Sequence, residues 1–122
     1  NMIKKIKKII QVMFFINLIV AEKPLLESNF SEISSIIYEP KVIRKYIKYP
    51  DIARNFSISG KSTAFFYINK RGEIKDLIIE ESLGSAFDRE ILDGLTDIST
   101  EILQRKNISQ ENYYRLSIYF KY

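Results

Sequence analysis

Apolar and polar positions change their rhythm several times along the chain, and each rhythm predicts an element. From Gly60, Ser62, Ala64, Phe66 and Ile68 fall on one face of an extended segment and Lys61, Thr63, Phe65 and Tyr67 on the other, the period-two pattern of a strand. Asn69-Lys70-Arg71-Gly72 is a turn, with Gly72 supplying a positive φ. Ile74 to Glu81 is the returning strand, with Leu77 and Ile79 alternating after a slip near Lys75-Asp76. Ser82 to Ser85 breaks it, and Ser85 is placed to cap a helix running from about Ala86 to Gln104. Phe87, Ile91, Leu95, Ile98 and Ile102 form the apolar stripe of that helix, and Glu90, Asp93, Asp97 and Glu101 an acidic ridge on another face. Tyr113 to Tyr122 returns to period two.

The order strand, strand, helix, strand predicts an α+β fold, a small three-stranded antiparallel sheet with one main helix on one face (β-β-α-β). A short helical segment precedes it. Leu26, Phe30, Ile33 and Ile37 recur at spacings of three and four and should end at Pro40. Lys41 to Tyr49 reads as a mixed basic and apolar approach segment. Pro50 is suited to begin a short helical turn through Arg54. A sheet this small has two edges, and the Tyr-rich last strand is expected to be one of them, open to pairing with another chain.

Charge changes the picture at one end only. The chain of 122 residues carries a net +4. Lys4, Lys5, Lys7 and Lys8 supply all of it, and the remainder from Glu22 is balanced. A nucleic-acid-binding face is therefore not indicated. The basic run leads into Ile9–Ala21, apolar but for Gln11 and Asn17 and too short to span a bilayer, then Glu22-Lys23-Pro24. This is the pattern of an export signal over residues 1–21, either cleaved after Ala21 or kept as a signal-anchor. Residues 22–48 read as linker and pre-domain helix, and 49–122 as the folded domain.

Candidate chemistry is sparse. With no His and no Cys, His-based acid–base catalysis, thiolate nucleophiles and Cys/His metal sites are absent. The four glycines are scattered and make no phosphate loop. Glu80 and Glu81, adjacent in a strand, are expected on opposite faces and so cannot act as a pair. A non-enzymatic domain without metal or cofactor is expected.

Tyr49-Pro50-x-x-Ala53-Arg54, then Gly60 with the alternation after it, Gly72-x-Ile74, Ser82-x-Gly84, Phe87-Asp88-x-x-Ile91-Leu92 and Leu116-x-Ile118-x-Phe120 together resemble the TonB C-terminal domain family, over about residues 41–122. The resemblance implies a periplasmic domain whose last strand captures a protein or peptide, such as a segment of an outer-membrane receptor, by strand addition. On this chain the capturing residues would be Tyr113, Tyr114, Arg115, Leu116, Ser117, Ile118 and Tyr119. Tyr49, Pro50, Ala53, Gly60, Gly72, Gly84 and Phe87 would be motif positions that build the fold. The alternative the resemblance implies is a short energy transducer coupled to a proton-driven complex of the inner membrane. The chain departs from such transducers in its short spacer between Ala21 and Tyr49 and in lacking Pro between Ile102 and Gln110.

Overall fold

A computed structural model describes residues 32–122, and the expected export signal and the helical positions Leu26 and Phe30 lie outside the described residues. Two short helices come first, α1 (Glu32–Ile37) and α2 (Pro40–Tyr46), then a 3-10 turn over Asp51–Phe56. Strands β1 (Gly60–Ile68) and β2 (Ile74–Glu81) form a hairpin, helix α3 (Ser85–Glu101) crosses back, and a 3-10 turn at Leu103–Arg105 leads to β3 (Asn112–Phe120). The sheet order is β2-β1-β3, antiparallel throughout. The expected β-β-α-β arrangement is the one observed. No helix among the described residues is long and apolar enough to cross a membrane.

The inner row of β1, Ser62, Ala64, Phe66 and Ile68, is buried together with Tyr114, Leu116, Ile118 and Phe120 of β3 and Phe87, Ile91, Leu95 and Ile98 of α3. Burial of this kind supplies most of the stability, at roughly 25 cal/mol per Å² of apolar surface. Leu77 and Ile79 of β2 are only half-buried at its margin. Past Glu101 the helix tightens into the 3-10 turn, which puts Leu103 in the core and leaves the expected Ile102 half-buried.

Three local expectations are corrected. Lys41 to Tyr49 is more than an approach segment to the domain, because Pro40 opens α2 at a position where its missing N–H costs nothing, and Ile43 and Ile47 from this stretch enter the core. Ser85 is the first helical residue and not a cap. Gly84 precedes it, and Ser82 organises the helix start by accepting from the Gly84 N–H (2.9 Å) and donating to the Asp88 carboxylate (2.8 Å). Glu80 and Glu81 both reach groups on the outer face, the one away from α3. A bulge between Thr63 and Ala64 shifts the β1 partner from Glu81 to Ile79, so strict alternation fails at Glu80.

The hairpin tip is fastened to the end of α3. Asn69 Oδ1 accepts from the N–H groups of Arg71 and Glu73 (2.9 and 3.0 Å), and Gly72 takes a φ of 82°. Ser99 Oγ donates to the Gly72 carbonyl at 2.6 Å, and a Cβ at Gly72 would lie 2.5 Å from the Leu103 carbonyl carbon. The second close approach is at Gly94 on α3, where a Cβ would meet Ile47 Cγ1 at 2.4 Å and the Tyr46 carbonyl oxygen at 2.5 Å. The missing side chain is what lets α2 lie against α3.

Two outcomes test this packing. Gly94→Ala should lower the urea midpoint by an amount equivalent to about 1–3 kcal/mol, because overpacking against α2 outweighs the ~1 kcal/mol gain in helix propensity. Ser62 Oγ is buried in the apolar row with no hydrogen-bond partner. Ser62→Ala should therefore leave the midpoint unchanged or raise it, since an unsatisfied buried hydroxyl costs about 1–3 kcal/mol. A clear loss of stability on Ser62→Ala would show that the hydroxyl is satisfied in solution.

Candidate functional site

The two sheet edges differ in kind. On β2 the pairing with β1 slips twice, at Glu80 and again between Phe65 and Tyr67, where the partner jumps from Ile78 to Lys75. Asp76 sits in that second irregularity with a φ of 55°. Bulges twist and interrupt an edge, and Lys75, Asp76, Glu80 and Glu81 add charge to it, so β2 is a poor template for another strand. β3 pairs with β1 without a break from Asn112↔Ile68 to Phe120↔Gly60. It is the straight edge.

Which main-chain groups of β3 face outward follows from the hairpin. The Asn69 N–H donates to Glu73 of the β2 side, so by alternation the even residues of β1 direct theirs to β3. Asn112, Tyr114, Leu116, Ile118 and Phe120 then pair with β1, and Tyr113, Arg115, Ser117 and Tyr119 point their N–H and C=O groups away from the sheet. Three contacts agree with this. The Tyr113 N–H is met by Asn112 Oδ1 (2.8 Å), the Arg115 carbonyl accepts from Tyr38 Oη (3.2 Å), and the Tyr122 N–H turns back toward β1 to donate to Ser59 Oγ (2.9 Å).

The expected capturing residues thus divide. Tyr114, Leu116 and Ile118 bury their side chains in the core and contribute to the edge no side chain. Tyr113, Arg115, Ser117 and Tyr119 lie on the outer face, with Tyr113 and Tyr119 exposed. Phe65 stacks on Tyr113 at 5.4 Å between ring centres, and the Arg115 guanidinium lies 4.7 Å over Phe65. Beyond Phe65 that guanidinium reaches Glu80 through Nε and Nη2 (2.6 and 2.8 Å), a bidentate pair spanning the width of the sheet. The Glu80 hydrogen bond raises the Arg115 pKa further, so its charge is permanent. Ser117 Oγ and Thr63 Oγ1 lie 3.1 Å apart, and Thr63 donates to Glu81 (2.9 Å). This bond, then Lys61, holds the Glu81 carboxyl below its usual value.

The motif positions are structural. Tyr49 packs edge-on against Phe87 and Phe120 and donates to the Ile58 carbonyl, which fixes the 3-10 turn to the end of β3. Pro50, Ala53 and Phe87 are buried, Gly60 lies under Leu83, and Gly72 and Gly84 have positive φ. Sequence reasoning missed Tyr38, Asn112 and Glu80. Glu80 needs an irregular register to be seen, and Tyr38 a contact across 77 positions. An Asn at the first position of a strand was a legible signal for a local side-chain cap.

No family model and no curated protein matches the chain. Among the solved structures similar to it are two TonB C-terminal domains. The Pseudomonas aeruginosa TonB C-terminal domain is 24% identical over 62% of this chain and 78% of that one, with a TM-score of 0.48. The Helicobacter pylori TonB C-terminal domain is 20% identical over 66% and 86%, with a TM-score of 0.46.

Burial first, and then the neighbouring Tyr114, push the Tyr38 phenol well above its ordinary value, so it remains a donor. Above about pH 10 the unfolded chain loses this proton while the folded chain keeps it. Folding then binds a proton, and the stability from Tyr38 is lost as pH rises through that window. Wild type should lose urea resistance more steeply than Tyr38→Phe between about pH 9.5 and 11.5. Tyr46 and Tyr67 are also raised, by hydrogen bonds to Glu101 and Glu111, but both proteins share them. Parallel curves would rule the contact out.

Proposed function

We propose that this chain is an exported, non-enzymatic TonB-like domain that captures an extended segment of a protein partner by strand addition at β3. One observation carries the reading: of the two edges, β2 is interrupted twice while β3 is unbroken over its whole register with β1 and directs a row of N–H and C=O groups outward. An incoming strand would exchange hydrogen bonds with that row at a net gain of about 0.5–1.5 kcal/mol each, and its outer-face side chains would meet Tyr113 and Tyr119. In this reading residues 1–21 direct export to the periplasm, α1 and α2 pack into the domain's core, and the basic charge belongs to the signal, not to a ligand-binding surface.

The arrangement of outward groups makes a clean test possible. The Ser117 N–H faces away from β1, so Ser117→Pro removes a donor from the outward row without removing a rung of the internal ladder. Circular dichroism should show a folded protein. A four-residue peptide of alternating Thr and Val should shift the wild-type amide resonances of Ser117 and Tyr119 and leave those of β2 in place. Ser117→Pro should weaken that binding about tenfold. A folded Ser117→Pro protein that binds the peptide as wild type does would exclude strand addition here.

A further inference from the structure

The excess positive charge of the chain lies in residues 1–8, but charges that cancel over the remainder do not cancel locally. From Lys41 to Phe56 there are five basic residues, Lys41, Arg44, Lys45, Lys48 and Arg54, and one acid, Asp51. Asp51 is paired with Arg54 at 3.2 Å. Lys48 and Lys121 are exposed and make no ion pair among the described residues. The basic stretch ends in the 3-10 turn, where Ala53 is buried while Ile52 and Phe56 are 69% and 72% exposed. Tyr122, 60% exposed, belongs to the same corner. Its ring lies 6.2 Å from that of Tyr49, its N–H donates to Ser59 Oγ, and the Arg54 guanidinium lies 5.3 Å over the same Tyr49 ring. This corner is the end of the sheet opposite the hairpin turn, where β1 begins at Gly60 and β3 ends at Phe120. Single exposed apolar side chains are ordinary on a protein surface. Here the three most exposed large ones among the described residues share one corner with three cations. The fold does not require them there, since buried Pro50 and Ala53 already anchor the turn.

We propose that this corner docks on the surface of an anionic lipid bilayer, with Ile52, Phe56 and Tyr122 entering the headgroup region and Lys48, Arg54 and Lys121 meeting lipid phosphates. The inference is independent of strand addition, because it uses neither the outward row of β3 nor the outer face of the sheet. The mixture of side chains selects a bilayer over a protein. The centre of a protein interface is depleted of Lys, whose ammonium would have to shed its water there. At a bilayer the same side chains settle at different depths. Lys stems lie along apolar surface and carry their charge out to the phosphates, Tyr keeps its hydroxyl at the boundary, and Ile and Phe go deeper. Asp51, the one acid of the stretch, has Arg54 beside it to offset its repulsion from the headgroups. Each cation near an anionic surface strengthens binding about five-fold, so three of them with three apolar side chains give a reversible contact, not a permanent anchor. Docking here also orients the domain. The nine residues of β1 would carry the hairpin turn about 30 Å away from the corner that touches lipid.

The chain has no Trp, so one introduced Trp reports on one place. Phe56→Trp puts it in the corner, and Lys70→Trp puts it in the hairpin turn as a control. Each full-length variant is titrated with vesicles of phosphatidylcholine mixed with phosphatidylglycerol, and with vesicles of phosphatidylcholine alone. The emission of Phe56→Trp should move to the blue with the mixed vesicles, far less with phosphatidylcholine alone, and less again at high salt. The emission of Lys70→Trp should stay in place. Adding Lys48→Gln and Lys121→Gln to Phe56→Trp should raise the lipid needed about thirty-fold, and adding Ile52→Ser about tenfold. All these positions are exposed, so the fold is retained, and a thermal melt of each variant checks it. An emission of Phe56→Trp that no vesicle moves would overturn the proposal. So would equal shifts with both vesicles, or a titration unchanged by loss of the two lysines. Equal shifts in Phe56→Trp and Lys70→Trp would overturn it too, because residues 1–21 would then be holding the chain to lipid in no fixed orientation. A blue shift that grows with protein concentration in the absence of lipid would assign the corner to a second copy of the chain instead. None of these results bears on peptide binding at β3, so the two proposals fail separately.

Discussion

Every strand at the margin of a sheet keeps a row of main-chain donors and acceptors that its own sheet cannot satisfy, and a three-stranded sheet has two such margins for one interior strand. β1 escapes, paired on both sides. β2 answers the excess by irregularity: two slips in register, a left-handed Asp76, and charged side chains. β3 keeps its regularity, and the side chains of Asn112 and Tyr38 meet main-chain groups near its beginning. The contrast between a spoiled margin and a preserved one gives the molecule its polarity, and it follows from the obligation of buried or paired backbone to be hydrogen-bonded.

The preserved margin depends on what stands behind it. β3 can be straight because its inner side chains, Tyr114, Leu116, Ile118 and Phe120, all fall into one core with α3. α3 holds its place because it is secured near both ends. Ser82 bonded to Asp88 sets its start, and Ser99 bonded to the Gly72 carbonyl ties its last turn to the hairpin. α1 and α2 add Ile33, Ile37, Ile43 and Ile47 to the same cluster, and the second of them fits only because residue 94 has no side chain. Tyr38 is thus positioned by packing that has nothing to do with the edge it touches.

Periodicity made the frame legible in the sequence. Gly60–Ile68, the Asn69–Gly72 turn, the stripe from Phe87 to Ile98 and the last strand could each be read because burial on one face imposes a fixed rhythm. Even the slip near Asp76 was visible as a break in alternation. What was not legible lies where two elements meet. The Glu80 bulge is a property of pairing with β1, not of the segment itself, so period two misplaced it. α2 was obscured by its basic residues, and its packing depends on Gly94 half the domain away. At the edge, the strand could be read from residues 113–122, but which of its groups point outward needed the hairpin register, and the Tyr38 contact needed the fold.

The pair formed by Arg115 and Glu80 passes over Phe65 and joins the two outer strands across the middle one. Its consequence is mechanical. A ladder drawn along its strands strains all its rungs at once, whereas one opened from an end gives way rung by rung. A chain joined side by side to β3 and pulled lengthwise would load the nine-residue β1–β3 register in the first manner. The guanidinium brace would then pass part of the shear on to β2, so that such a load would be shared by the whole width of the sheet.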